Sequence, residues 1–398
     1  MKTKFLALAI SLGFLFTSCS DDDNPTPTVG PATGEITGTY TADQTFVYGN
    51  YTLNGVVKVN SGVTLTFEAG STITCNKSNG DNALVVLKGG KLIVNGTADA
   101  PVIFTEASGI PGSWGGITLY GDAPINAAKA SSTSTSEDGN FIVYGGSNKT
   151  DSSGSLKYVQ DRYAGAKLAD GNSELNGFSF YAVGSGTVLD HLVSYKGNDD
   201  GFEFYGGTAS MTNAISYGNT DDSFDWQDGW QGAANTNWYA KQMVKGNYGM
   251  EIESSNNNNA YFPIVSNITL IRDAGTEPET SSSVEIDAIQ FKKQGNGQFN
   301  NIVINGFGNY ATGGVTYTGT AVKIQDQATN TDQVNTGKIK VTNVKMTNTT
   351  VDVLGATVSG SPLTISFPAG NFTTSTTATG AVMNSGTWST VDGVDLLK

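Results

Sequence analysis

Histidine and cysteine are almost missing from this chain. Its 398 residues include one histidine, His191, and two cysteines, Cys19 and Cys75. Any Ser-His-Asp or Cys-His arrangement must therefore use His191, and nothing near it resembles a nucleophile elbow. There is no C-x-x-C, H-E-x-x-H, Walker or G-x-G-x-x-G motif, which argues against zinc and nucleotide sites. Basic residues are also few. With 22 Lys and Arg against 36 Asp and Glu, the formal charge is −14, which repels phosphate backbones and excludes nucleic acid as a partner. Proline is sparse, at 10 residues, and no stretch combines helix caps with a 3.6-residue apolar period, so little helix is expected.

Long apolar runs are absent beyond the N-terminus. Lys2 and Lys4 precede the run Phe5 to Phe16, which is shorter than the roughly 20 residues a membrane span needs. Residues 1–18 read as a secretory signal. Phe16-Thr17-Ser18-Cys19 resembles a bacterial lipobox, which implies cleavage before Cys19 and a lipid on its thiol. Cys75 would then have no disulfide partner within the mature chain. Ser20-Asp21-Asp22-Asp23 resembles the acidic signal that sends Bacteroidota lipoproteins to the outer cell face, although a solvated acidic tether reads equally well. Residues 19–38, with Pro25, Pro27 and Pro31, form a linker.

What the chain has in abundance is glycine, 50 residues, and short strand-like pieces separated by Gly, Asn, Ser and Asp. They include Val56–Val59, Val63–Phe67, Thr72–Cys75, Leu84–Leu87, Leu92–Val94, Val102–Phe104 and Ile117–Leu119. Two consecutive stretches are copies. Leu189–Gly207 is LDHLVSYKGNDDGFEFYGG and Met211–Gly229 is MTNAISYGNTDDSFDWQDG. A strand-patterned copy at a fixed step is one coil of a stacked solenoid. The expected fold is all-β, a right-handed parallel β-helix over 39–348, with 349–398 forming final coils or a cap. Weaker echoes of the G-F-E-F element place Ser179, Glu203, Asp225, Glu251, Gln290 and Lys323 in one outward column, with Phe202 and Phe204 pointing inward.

W-G-G-I at Trp114–Ile117, D-D-G-F-E-F-Y-G-G-T at 199–208 and D-D-S-F-D-W-Q-D-G-W at 221–230 resemble a widespread set of bacterial outer-membrane or surface lipoproteins, mostly uncharacterised. The resemblance covers roughly residues 50–310. It implies a lipid-anchored β-helix at the cell outer membrane and supplies no catalytic residues.

Stacked carboxylates about 4.8 Å apart repel by about 1 kcal/mol in water and about 3.5 at a dielectric near 20. Asp199, Asp200, Glu203, Asp221, Asp222 and Asp225 can therefore splay into water or cap turns, share protons, or hold a hard cation such as Ca²⁺. Fold analogy adds a catalytic alternative, a polysaccharide lyase or glycoside hydrolase using Glu203, Asp225 and Glu251 with Lys292, Lys293 or Lys323 as base. Such an enzyme should show a cleft walled by the insertions 254–262 and 274–283. Trp226 is expected in the core, whereas Tyr205, Trp230 and Trp238 read as turn or loop aromatics able to stack on sugars. A non-catalytic role in binding or adhesion is expected, towards glycans or another surface protein, with the enzyme as the alternative. A structural accessory of an outer-membrane receptor complex remains open as a third reading.

Overall fold

Alternating apolar residues broken by a turn every few positions cannot bury their faces within one coil, so each coil closes on the next. The result is a parallel β-helix. In the computed structural model, which describes residues 30–76, 81–166, 175–278, 284–358 and 361–398, one sheet system of 24 strands runs through the chain and its paired strands are parallel. The expected signal 1–18, Cys19 and the linker as far as residue 29 lie outside the described residues.

Two interior ladders show the pleat at work. Phe178, Phe202, Phe224, Met250, Ile289 and Val322 stack in register. Phe180, Phe204, Trp226, Ile252, Phe291 and Ile324 do the same one pleat further on. All are fully buried, and each aromatic contributes about 1.5–3 kcal/mol on leaving water. Trp226 sits in the core as expected.

A third ladder turns the corner. Tyr158, His191, Asn213, Asn237, Asn267, Asn301 and Asn343 occupy equivalent positions in successive strands, each in the left-handed region with φ between 52° and 60°. Asparagine tolerates that conformation better than most residues, and its amide bonds along the stack. Asn237 donates to Asn213 at 2.9 Å and Asn301 to Asn267 at 2.7 Å.

The expected boundary shifts at the N-terminal end. Ala32–Tyr40 is a strand paired with Gly49–Val59, so the solenoid takes up part of the expected linker. Within 349–398, expected as final coils or a cap, Val351–Gly355 pairs with Thr320–Ile324 and the last parallel rung, Phe372–Thr374, pairs with Ile339–Thr347. The residues after it do not cap the end. They form a strap that runs back along the corner ladder, meeting Asn301 through Thr379, Thr269 through Ala381 and Asn237 through Val382. Trp388 then lies edge-on to His191, and its backbone amide donates to Ala98. The strap satisfies the outward amide of Gln160, which donates to the carbonyls of Thr387, Trp388 and Thr390.

Candidate functional site

The strands Phe178–Tyr181, Phe202–Tyr205, Phe224–Gln227, Met250–Ile252, Asp287–Phe291 and Thr320–Ile324 stack as one face. Their outward column is Ser179, Glu203, Asp225, Glu251, Gln290 and Lys323, in the register expected. It is not washed by solvent. Glu203 is 6% exposed and Asp225 8%, and the aspartates of the turns entering these strands line the same pocket. Gly201 makes that tight entry possible, since a Cβ there would stand 2.4 Å from Ser216 Oγ and 2.7 Å from the Ser223 carbonyl.

The paired aspartates of the repeat have a structural duty that explains half of each pair. Asp200 Oδ1 accepts from the amide of Asp222 at 2.9 Å, and Asp222 Oδ1 accepts from the amide of Tyr248 at 2.6 Å. Each therefore staples its coil to the next. The expectation that these acids splay into water or cap their own turns is corrected for both. Asp200 and Asp222 are 7% and 3% exposed, and their partners lie one coil on.

These groups line a pocket of about 250 Å³ with Glu137, Asn176, Asp199, Asp221, Gln227, Glu251, Glu253, Lys292 and Lys293. Nine carboxylates and two ammonium groups give its lining a formal charge of −7. Lys292 reaches Glu251 at 2.6 Å and Lys293 reaches Glu253 at 2.6 Å. Burial alone would lower Lys292, but Glu251 and Asp225 beside it outweigh that and hold it above the ordinary lysine range.

The acids are correspondingly reluctant to ionise. Desolvation, then the charge of Glu137, pushes Glu203 up to about 8. Hydrogen bonds from Tyr205, Gln227 at 3.1 Å and Asn176 at 2.6 Å oppose the rise. Burial, then Asp222, raises Asp200, and burial with Glu203 and Glu251 raises Asp225. Asp225 Oδ1 is buried with no hydrogen-bond partner.

Among the described residues, two sets of three carboxylates can each offer one oxygen within 4.8 Å of the others. They are Asp199, Asp200, Asp221 and Asp200, Asp222, Asp225. Ca²⁺ binds oxygens at 2.3–2.6 Å, so that spread suits a shared ion. Glu203, grouped with these acids by the sequence, belongs to neither set.

Several expected site residues lie elsewhere. Trp230 and Trp238 are in the core, not in exposed loops. Trp230 stacks on Phe204 at 4.3 Å and Trp238 on Phe224 at 4.5 Å, both within 1% of full burial. Their indole nitrogens donate to the carbonyls of Ala209 and Met211. No ring face is left for a sugar. Tyr205 is also buried, stacked on Tyr181 at 4.0 Å, and serves Glu203 through its hydroxyl. Lys323 lines a neighbouring cavity with Tyr317 and Gln325, not the acidic pocket.

The walls differ from expectation too. No residue of 254–262 or of the described part of 274–283 lines the acidic pocket. Glu137 does, from the segment 121–153. That segment is held by Tyr144 on Asp228, and Asn257 anchors it through the carbonyls of Asn126 and Ala127. It breaks the repeat, so nothing in the sequence pointed to Glu137. Glu253 was within reach, because it follows Ile252, whose register partner Phe291 precedes Lys292.

A family model described as a pectate-lyase-like β-helix domain matches residues 38–391. No curated protein and no solved structure matches the chain.

Proposed function

The chain belongs to the pectate-lyase-like β-helix domain family, and from that premise we propose that it is a surface protein whose acidic pocket takes Ca²⁺ and, through it, an acidic glycan, without cleaving it. The observation that carries the reading is the formal −7 of a small, largely buried pocket. Such a charge is tolerable when protons or a cation offset it, and all-carboxylate oxygen ligands favour a hard cation. A bound cation with open coordination positions would also turn a site that repels uronates into one that attracts them.

Lys292 argues against a lyase. A base must be able to lose its proton near the working pH, and Lys292 is held charged by Glu251. On this reading a lipid on Cys19 tethers the solenoid to the outer membrane.

The test is an array of acidic and neutral glycans, probed in Ca²⁺ and in chelator. Binding to uronate-containing glycans in Ca²⁺ alone is expected. Equal binding in chelator, or none in either, refutes the reading. One observation favours a glycoside hydrolase instead. Glu203 is a carboxylic acid at neutral pH, raised to about 8, as a general acid requires. Product analysis on any bound glycan separates the two, since the binding role predicts an intact ligand.

A further inference from the structure

We infer that the acidic pocket is a two-cation centre in which the carboxylate of Asp200 is shared between ions. This rests on the cation-binding reading above and specifies its stoichiometry. The geometry offers two triads, not one. Asp199, Asp200 and Asp221 gather at the turns of two successive coils, whereas Asp200, Asp222 and Asp225 reach from the turns onto the outward column. Asp200 is the only residue common to both. Each triad spans no more than 4.8 Å between ligand oxygens, close to twice the Ca²⁺–oxygen distance of about 2.4 Å.

The hydrogen bonds are consistent with this division of labour. Asp200 and Asp222 each commit Oδ1 to a backbone amide of the next coil, which fixes the carboxyl groups and leaves their second oxygens for the pocket. Asp225 is over nine-tenths buried, lines the pocket, and has an Oδ1 with no hydrogen-bond partner. A buried carboxylate oxygen without a donor is costly, and a cation in the second triad supplies what it lacks.

Charge distinguishes one ion from two. Deprotonated, as cation ligands must be, the five carboxylates of the triads carry a formal −5. One divalent ion leaves −3 among groups in direct contact, and two leave −1. The two lysines of the lining are paired with Glu251 and Glu253, so they do not neutralise the triads. Neither triad contains His or Cys, so the centre suits Ca²⁺ over zinc or copper.

The experiment measures Ca²⁺ bound per full chain by equilibrium dialysis at neutral pH. The unsubstituted protein should hold two ions. Asp199→Asn and Asp225→Asn should each keep one, and Asp200→Asn should weaken both by at least tenfold. Asn at 200 still accepts the Asp222 amide, and melting in chelator should confirm that all three variants are folded at least as stably as the parent. A single ion in the parent overturns the two-cation centre while leaving the single-cation reading intact. Loss of the same ion in Asp199→Asn and Asp225→Asn overturns it as well. No bound Ca²⁺ at all overturns both proposals.

Discussion

Removing divalent cations should make the protein lose stability as pH rises, and Glu203 sets a large part of the slope. Its carboxyl has an ordinary value of 4.5 and is raised to about 8 in the folded chain. A raised acid binds its proton more tightly when folded than when unfolded. The favourable contribution is therefore complete below pH 4.5 and is lost as pH climbs through 8. At 1.36 kcal/mol per unit, the full difference is about 5 kcal/mol, and roughly 3–4 of that falls between pH 5 and pH 8. Unfolding entropy near 2.1 cal/mol/K per residue, summed over Ala32–Lys398, converts this to a fall of about 4–5 °C in Tm.

The assay is thermal unfolding at pH 5, 6, 7 and 8 in chelator, comparing the parent with Glu203→Gln. Glutamine cannot ionise, and it can keep the carbonyl that accepts from Tyr205. The variant should lose much less than the parent over this range and overtake it by pH 8. Added Ca²⁺ should flatten the parent's slope, because a cation in the pocket favours the ionised acids. Identical pH slopes for parent and variant in chelator would refute the argument that burial holds a proton on Glu203.

Two further outcomes follow from contacts outside the charge balance. Asp222→Ala leaves the Tyr248 amide without its acceptor and should cost about 1–3 kcal/mol, whereas Asp222→Asn should cost much less; equal losses in denaturant melts would deny the stapling role. Trp388→Ala empties a site 2% exposed that covers His191 and Tyr158 and should destabilise by about 3–5 kcal/mol; an unchanged Tm would mean that the strap is not seated there.

The parts of this structure that were legible in the sequence are those that repeat. Phe202 and Phe204 alternate with Glu203, and aligning Glu203 with Asp225 and Glu251 put every member of the column in its observed register. A third copy is also present in the sequence. Thr212-Asn213-Ala214 aligns with Thr236-Asn237-Trp238, and that alignment places Trp238 with inward-facing Ala214 instead of in a loop. Trp230 gave no such cue, because it follows a turn and re-enters the core by leaning on Phe204. The burial of the acids was not legible at all. What covers them is the segment 121–153 and the close entry turns, and neither carries a period that ties it to Glu203. A pleat tells which side a residue faces, but not what stands opposite.

The strap bears on how the molecule comes apart. In a solenoid each coil meets only its neighbours, so end coils can fray one at a time without consulting the middle. Here the residues after Thr374 touch Asn301, Thr269, Asn237, His191 and Ala98 in turn, so one segment joins neighbouring coils to coils several rungs away with which they do not pair directly. Opening any one of them must strain or unseat a segment held by all the others. A chain whose energetics would otherwise be local thereby gains long-range cooperativity. Fraying from the last coil inward becomes a collective event, and the acidic pocket, midway along the stack, is shielded from it.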